Sequence, residues 1–122
     1  MEAKETEWAA AANGMTGLET AVRVVQLAMV DTGLLDWAGV ADRMSARPAR
    51  IGRVAGHGGP VSPGAPGNIT LYDPAAAPES VDPATHASKS RNSPFAGMVL
   101  PGRVVATFLR GTATVIDGKV TR

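Results

Sequence analysis

The sequence predicts a mixed α and β chain whose helices come first and whose strands follow. Three observations carry this. Apolar residues recur at three- and four-residue intervals up to about residue 50, a glycine- and proline-rich stretch follows at 56–67, and apolar and polar residues alternate beyond it. Helices followed by a few strands fit a small α+β domain, although one strand and a short hairpin offer little sheet on which to pack two helices.

The first helix is expected over 17–31. Thr16 followed by Glu19 fits a capping box, in which Thr16 accepts from an early helix amide and Glu19 reaches back to the Thr16 amide. Leu18, Val22, Val25 and Met29 make an apolar stripe with Ala21 and Ala28 beside it, while Arg23 and Gln26 face away. Gly33 is a plausible terminator. Asp36 can cap a second, shorter helix with Trp37, Val40 and Met44 as its buried stripe, and Ser45 starts one more turn through Arg50.

After the loop at 56–67, Asn68-Ile69-Thr70-Leu71-Tyr72 alternates and is stopped by Asp73-Pro74, which reads as one strand. Residues 75–83 read as proline-interrupted surface chain. Strands are expected at 103–109 and 112–116, joined by Arg110-Gly111 as a tight hairpin turn, with Asp117-Gly118-Lys119 as another turn.

Composition excludes several functions. The chain has 122 residues, 44% of them apolar, enough for a real core. Its 14 glycines and 9 prolines exceed the usual share of about 12% without reaching the range of disordered chains. Twelve basic against eleven acidic residues leave a net charge of +1, no footprint for nucleic acid or an anionic membrane. With no cysteine there are no disulfides or thiolate zinc sites. The start, 1–7, is acidic and polar rather than a secretory leader, and charged residues or glycine interrupt every apolar stretch well short of the ~20 residues that cross a bilayer. A cytoplasmic protein is expected.

The chain's own metal chemistry looks poor. His57 stands in Gly56-His57-Gly58-Gly59 and reads as a flexible loop residue, and His86 reads as a packed or locally bonded side chain. Two histidines without cysteine or a His-x-x-x-His spacing do not make a zinc site, which wants three or four convergent ligands. Asp31, Asp36, Asp42 and Asp73 suit helix flanks and turns. Lys89, Arg91 and Asn92 form a polar cluster with no glycine nest for phosphate, and hydrogen-bonded loop anchoring is the preferred reading.

Two stretches go further than composition. Ser88-Lys89-Ser90-Arg91-Asn92-Ser93-Pro94-Phe95-Ala96-Gly97-Met98-Val99-Leu100-Pro101-Gly102, together with Asn13-Gly14-Met15-Thr16-Gly17-Leu18-Glu19-Thr20-Ala21, resembles the C-terminal portion of dihydroorotases, zinc-dependent cyclic amidohydrolases. The resemblance runs over nearly the whole chain, and Gly64-Ala65-Pro66-Gly67-Asn68-Ile69 resembles a phrase widespread in the amidohydrolase superfamily that leads into a strand.

That resemblance implies an α/β fold: the end of a (β/α)8 amidohydrolase barrel over 1–55, with its closing helices, and returning strands of a small β-sandwich over 56–122. It implies a parent that interconverts dihydroorotate and carbamoyl aspartate in pyrimidine biosynthesis, using zinc held by histidines and an aspartate. Those residues should lie upstream of Met1, so no cofactor and no catalytic residue are expected in the isolated chain, which should be inactive. Hydantoinase or allantoinase is the nearest enzyme alternative, and a noncatalytic homologue serving as a scaffold or assembly module is the other. An exposed helix face and unpaired sheet edges would favour self-association.

Asn13 and Gly14 are the substrate-binding candidates that the resemblance implies, the backbone of this pair meeting the dihydropyrimidine ring or its carboxylate edge. This chain reads Ala-Ala-Asn-Gly where relatives carry Ala-Pro-Phe-Gly or Ala-Pro-Pro-Gly, a departure that keeps Gly14. From the residues alone, a glycine before a helix permits close backbone approach, or simply makes the turn into the helix.

Overall fold

Local sequence sets the helix ends, though not always as the pattern suggests. In a computed structural model, which describes residues 7–10 and 14–121, helix α1 (Ala21–Val25) continues through a wider π-type turn, Gln26–Val30. There the Asp31 amide donates to the Gln26 carbonyl five residues back, at 2.9 Å. Gly33, at φ 76°, ends the run as expected. The capping box does not form. The Thr16 amide donates to the Asn92 carbonyl and the Glu19 carboxylate accepts from the amides of Ala87 and Ser88, so both partners are engaged by a distant loop and regular helix starts only at Ala21.

Asp36 does cap helix α2 (Trp37–Ala41), accepting from the Gly39 amide at 2.7 Å. The helical run does not break before Ser45. It passes through a π-type turn, Asp42–Ala46, directly into α3 (Arg47–Ile51). Pro48 has no amide to donate and its ring would crowd the preceding turn of a regular helix; the wider turn just before it, closed by the Arg47 amide on the Asp42 carbonyl, accommodates both defects.

The fully buried residues flanking α1 are polar: Gln26 is 6% exposed and Thr20 2%, whereas on the expected apolar stripe Val22 and Val25 are half-buried and Leu18 and Met29 exposed. The reason lies in what the helix meets: short strands and irregular chain around residues 74, 79 and 100–101 present backbone carbonyls, and Arg23 and Gln26 supply the donors.

The strands follow the alternation closely. β1 (Ile69–Asp73), β4 (Arg103–Leu109) and β5 (Thr112–Ile116) are the expected three, and β6 (Lys119–Val120) extends them into an antiparallel sheet of order β1-β4-β5-β6. Arg110 (φ 52°) with Gly111 (φ 82°), and Asp117 (φ 48°) with Gly118 (φ 74°), make left-handed two-residue turns between successive strands. A register shift in the β1–β4 pairing leaves Val105 without a β1 partner and bends the sheet beside Tyr72. Within 75–83, read as plain surface chain, β2 (Glu79–Ser80) pairs antiparallel with β3 (Val99–Leu100) as a second, two-stranded sheet. Two residues are too few to show a period.

The (β/α)8 barrel that the resemblance implied is not what this chain forms. Both sheets are antiparallel, and the larger is open, with β1 and β6 at its edges. Two-residue turns can join only antiparallel neighbours, whereas a parallel barrel needs a crossover of a dozen or more residues between strands, and here the helices precede the strands instead of alternating with them. The described buried apolar residues are Val40, Val81, Leu100 and Ala106, a small set, while Trp8, Ile51 and Val61 lie mostly exposed. Among the described residues no helix is long and apolar enough to cross a membrane.

Candidate functional site

The segment leading into α1 is held by a loop more than seventy residues away in sequence. Asn92 grips it twice: its Nδ2 donates to the Gly14 carbonyl at 2.7 Å, and its own carbonyl accepts the Thr16 amide at 2.9 Å. Glu19 reaches the other way, its two carboxylate oxygens accepting the amides of Ala87 at 3.0 Å and Ser88 at 3.1 Å. The gripping loop owes its shape to serines. Ser88, Ser90 and Ser93 each accept, through the hydroxyl, from the amide two residues on, and Arg91 Nη1 donates to the carbonyls of Ser88 and His86. These contacts make Arg91 and Asn92 anchors of a loop.

Gly14 itself is exposed, and a Cβ built on it meets nothing within 4 Å among the described residues. What glycine supplies here is open space over the backbone. Asn13, its partner in the expected binding pair, lies outside the described residues.

A second constellation joins α1 to the strands. Arg23 donates through Nε to the Pro101 carbonyl at 3.2 Å and through Nη2 to the carbonyls of Leu100 at 2.6 Å and Glu79 at 2.9 Å. Gln26 Nε2 donates to the Pro74 carbonyl at 3.1 Å, and Gln26 Oε1 accepts the Tyr72 hydroxyl at 2.5 Å. Trp37 lies against the Tyr72 ring, centroids 5.3 Å apart. Burial pushes the Tyr72 hydroxyl above its usual range; the Arg23 charge opposes this, and Asp31 and Asp73 add smaller upward pushes. Gly102, at φ 67°, completes the node, since a Cβ there would overlap the Tyr72 hydroxyl and come within 2.5 Å of Gln26 Oε1. With its polar groups all spent on each other and on backbone, this node holds the fold and offers no free acid or base.

Neither histidine finds company suited to a metal. His57 lines an open cleft of roughly 400 Å³ with apolar residues such as Met44 and Phe108 and with Ser45, Asn68 and Thr70, and no second histidine or carboxylate among the described residues lines it. His86 has a buried Nδ1 with no hydrogen-bond partner among the described residues. No three of the described histidine, aspartate and glutamate residues converge as ligands, so these residues do not fit a zinc ion.

The sequence offered little warning of the node. Arg23 and Gln26 read as the solvated face because charged and amide side chains usually are. The available signal was Leu100-Pro101-Gly102, a proline and glycine directly ahead of an alternating run, which marks a turn under constraint.

No known family profile matches the chain. It is 66% identical over 120 residues to the dihydroorotase of Streptomyces coelicolor, covering 98% of this chain and 28% of that protein. The dihydroorotase of Leifsonia xyli is 60% identical over 120 residues, with coverage of 98% and 27%. Among solved structures, the L-hydantoinase (dihydropyrimidinase) of Arthrobacter aurescens superposes with a TM-score of 0.82 at 30% identity, over 99% of this chain and 27% of that one. The chain thus spans little more than a quarter of the length of these relatives.

Proposed function

We propose that this chain, a member of the amidohydrolase superfamily, supplies part of a dihydroorotase that interconverts dihydroorotate and N-carbamoyl-L-aspartate in pyrimidine biosynthesis in the cytoplasm. The observation that carries the reading is the 66% identity to a dihydroorotase along nearly the whole chain. In the ring-opening direction, water adds across one ring C–N bond and leaves a carboxylate and a ureido nitrogen.

In this reading the chain positions substrate. Gly14 brings a backbone with no side chain above it to the ring or its carboxylate edge, and Asn13 stands beside it in sequence. Zinc belongs to the proposed whole enzyme; the described donors of this chain do not fit it, and no step of the reaction is assigned to them through metal. The helical residues up to 55 and the strand-bearing residues 56–122 are proposed as two parts of that enzyme. A hydantoinase-like substrate is the second reading, favoured by the superposition on the Arthrobacter L-hydantoinase.

The test is a chimera in which these 122 residues replace the matching part of the Streptomyces coelicolor relative. Turnover of dihydroorotate well above that of hydantoin supports the proposal, with the isolated chain turning over neither. Hydantoin preferred over dihydroorotate, or turnover by the isolated chain, overturns it.

A further inference from the structure

We propose that Asn92 is a positioning residue for the Gly14 loop, fixing from a distant segment the backbone that meets substrate. The inference rests on the proposed role of Gly14. Glycine has the widest backbone freedom of any residue, and this one has nothing above it among the described residues to restrict it. An open glycine makes a good approach surface and a poor ruler.

The grip of Asn92 compensates. The Gly14 carbonyl belongs to the peptide joining residues 14 and 15, and the Thr16 amide to the peptide joining 15 and 16. Holding both, at 2.7 and 2.9 Å, fixes two successive peptide planes from one residue. The grip is only as steady as its base, and the base is tied down independently. Three serine turns and Arg91 shape it from within, and the Glu19 carboxylate ties it back to the run into α1. Gly17 closes on Phe95 of the same loop, a Cβ there standing 3.8 Å from the ring. Segment 14–19 and loop 86–95 therefore move as one piece, with Asn92 as the contact nearest the open glycine.

The side chain can be separated from the backbone contact. Asn92→Ala removes only the Nδ2 bond to Gly14 and leaves the carbonyl that Thr16 uses. Asn92→Asp keeps the shape and sets a carboxylate oxygen against the Gly14 carbonyl. Both variants are made in the chimera, with Asp36→Ala as a control that loses one exposed hydrogen bond elsewhere. We expect the KM for dihydroorotate to rise about tenfold in both Asn92 variants, with kcat within about threefold of the parent and no KM change in Asp36→Ala. An unchanged KM in the Asn92 variants, or an equal rise in Asp36→Ala, overturns the inference.

Amide hydrogen exchange over 14–18 is measured on the same proteins. Faster exchange there in Asn92→Ala, with 21–30 unchanged, supports the grip; equal exchange overturns it. Should the parent chimera turn over no dihydroorotate, the proposed function fails, and exchange alone decides the role of Asn92.

Discussion

Replacing Gly102 by alanine tests the polar node most directly, because the two costs of the change can be separated. The first is conformational: at φ 67° an L side chain sits in the left-handed region, at about 1–2 kcal/mol. The second is specific to this position. The new methyl overlaps the Tyr72 hydroxyl, so Tyr72 must swing away from Gln26 and Pro101, losing the one proton donation its hydroxyl makes between them, worth about 1 kcal/mol. The total is about 2–3 kcal/mol. Gly64→Ala is the matched control, since Gly64 has φ 82° and open space where its Cβ would go; it should cost only the first part. Urea unfolding followed by tryptophan fluorescence reads both variants, because Trp37 lies on Tyr72 while Trp8 is almost fully exposed and reports little change. With a slope of about 1–3 kcal/mol per molar, the midpoint of Gly102→Ala should fall about 0.3–1 M below that of Gly64→Ala. Equal midpoints for the two variants would refute the close approach as the source of the effect.

Tyr72 is the chain's one tyrosine, so absorbance at alkaline pH titrates it alone, and its midpoint should lie above 10. Because the folded value is raised, the unfolded chain loses this proton first; stability should hold below pH 10, fall as pH rises through the folded value, and lose that slope in Tyr72→Phe. Asp36→Ala removes the one side-chain cap of α2 and should cost about 0.5–1 kcal/mol in urea unfolding, with no loss pointing to a helix held entirely by its neighbours. Gly14→Val, at an exposed position where a Cβ meets nothing within 4 Å among the described residues, should weaken binding of a nonreacting dihydroorotate analogue to the chimera without loss of its folded fraction; unchanged affinity would remove Gly14 from the proposed binding site. Light scattering of the isolated chain should show association growing with concentration, given exposed Leu18, Ile51 and Val61, and a monomer at all concentrations would contradict this.

What the sequence made legible is what short-range physics decides. Alternation located β1, β4 and β5 to within a residue, because a strand in a sheet repeats every two residues and Arg110-Gly111 and Asp117-Gly118 leave the chain little choice but to reverse. Asp36 capped its helix for the same reason: donor and acceptor are three residues apart. The capping box at Thr16 and Glu19 has an equally good local pattern and failed, since Asn92, Ala87 and Ser88 offered those groups other partners. Contacts across some seventy residues leave no local trace. The same holds for the proposed site: the resemblance pointed to Gly14 and the polar cluster marked Asn92 as a loop anchor, whereas the segment that Asn92 anchors became visible only once the loop was folded back.

The polar contacts of α1 and the turn after it have a wider consequence. A helix that packs on a sheet surface buries its apolar stripe, because strand backbones are already paired with each other. This helix instead faces chain at 74, 79 and 100–101, where all four carbonyls it meets come from two-residue strands or irregular segments. Such a surface must be met by donors, or its carbonyls lose their hydrogen bonds on burial, at about 1–3 kcal/mol each. Arg23 and Gln26 meet that need, which leaves Leu18, Leu27 and Met29 turned outward. The outward stripe and the inward node are thus two results of one constraint. A polar anchor of this kind also fixes the helix in rotation more tightly than apolar packing does, since hydrogen bonds tolerate little angular error. The run from Gly14 into α1 is therefore held at both ends, by Asn92 and Glu19 at its start and by the Arg23 and Gln26 node along the helix, the rigidity that the proposed role of Gly14 would call for.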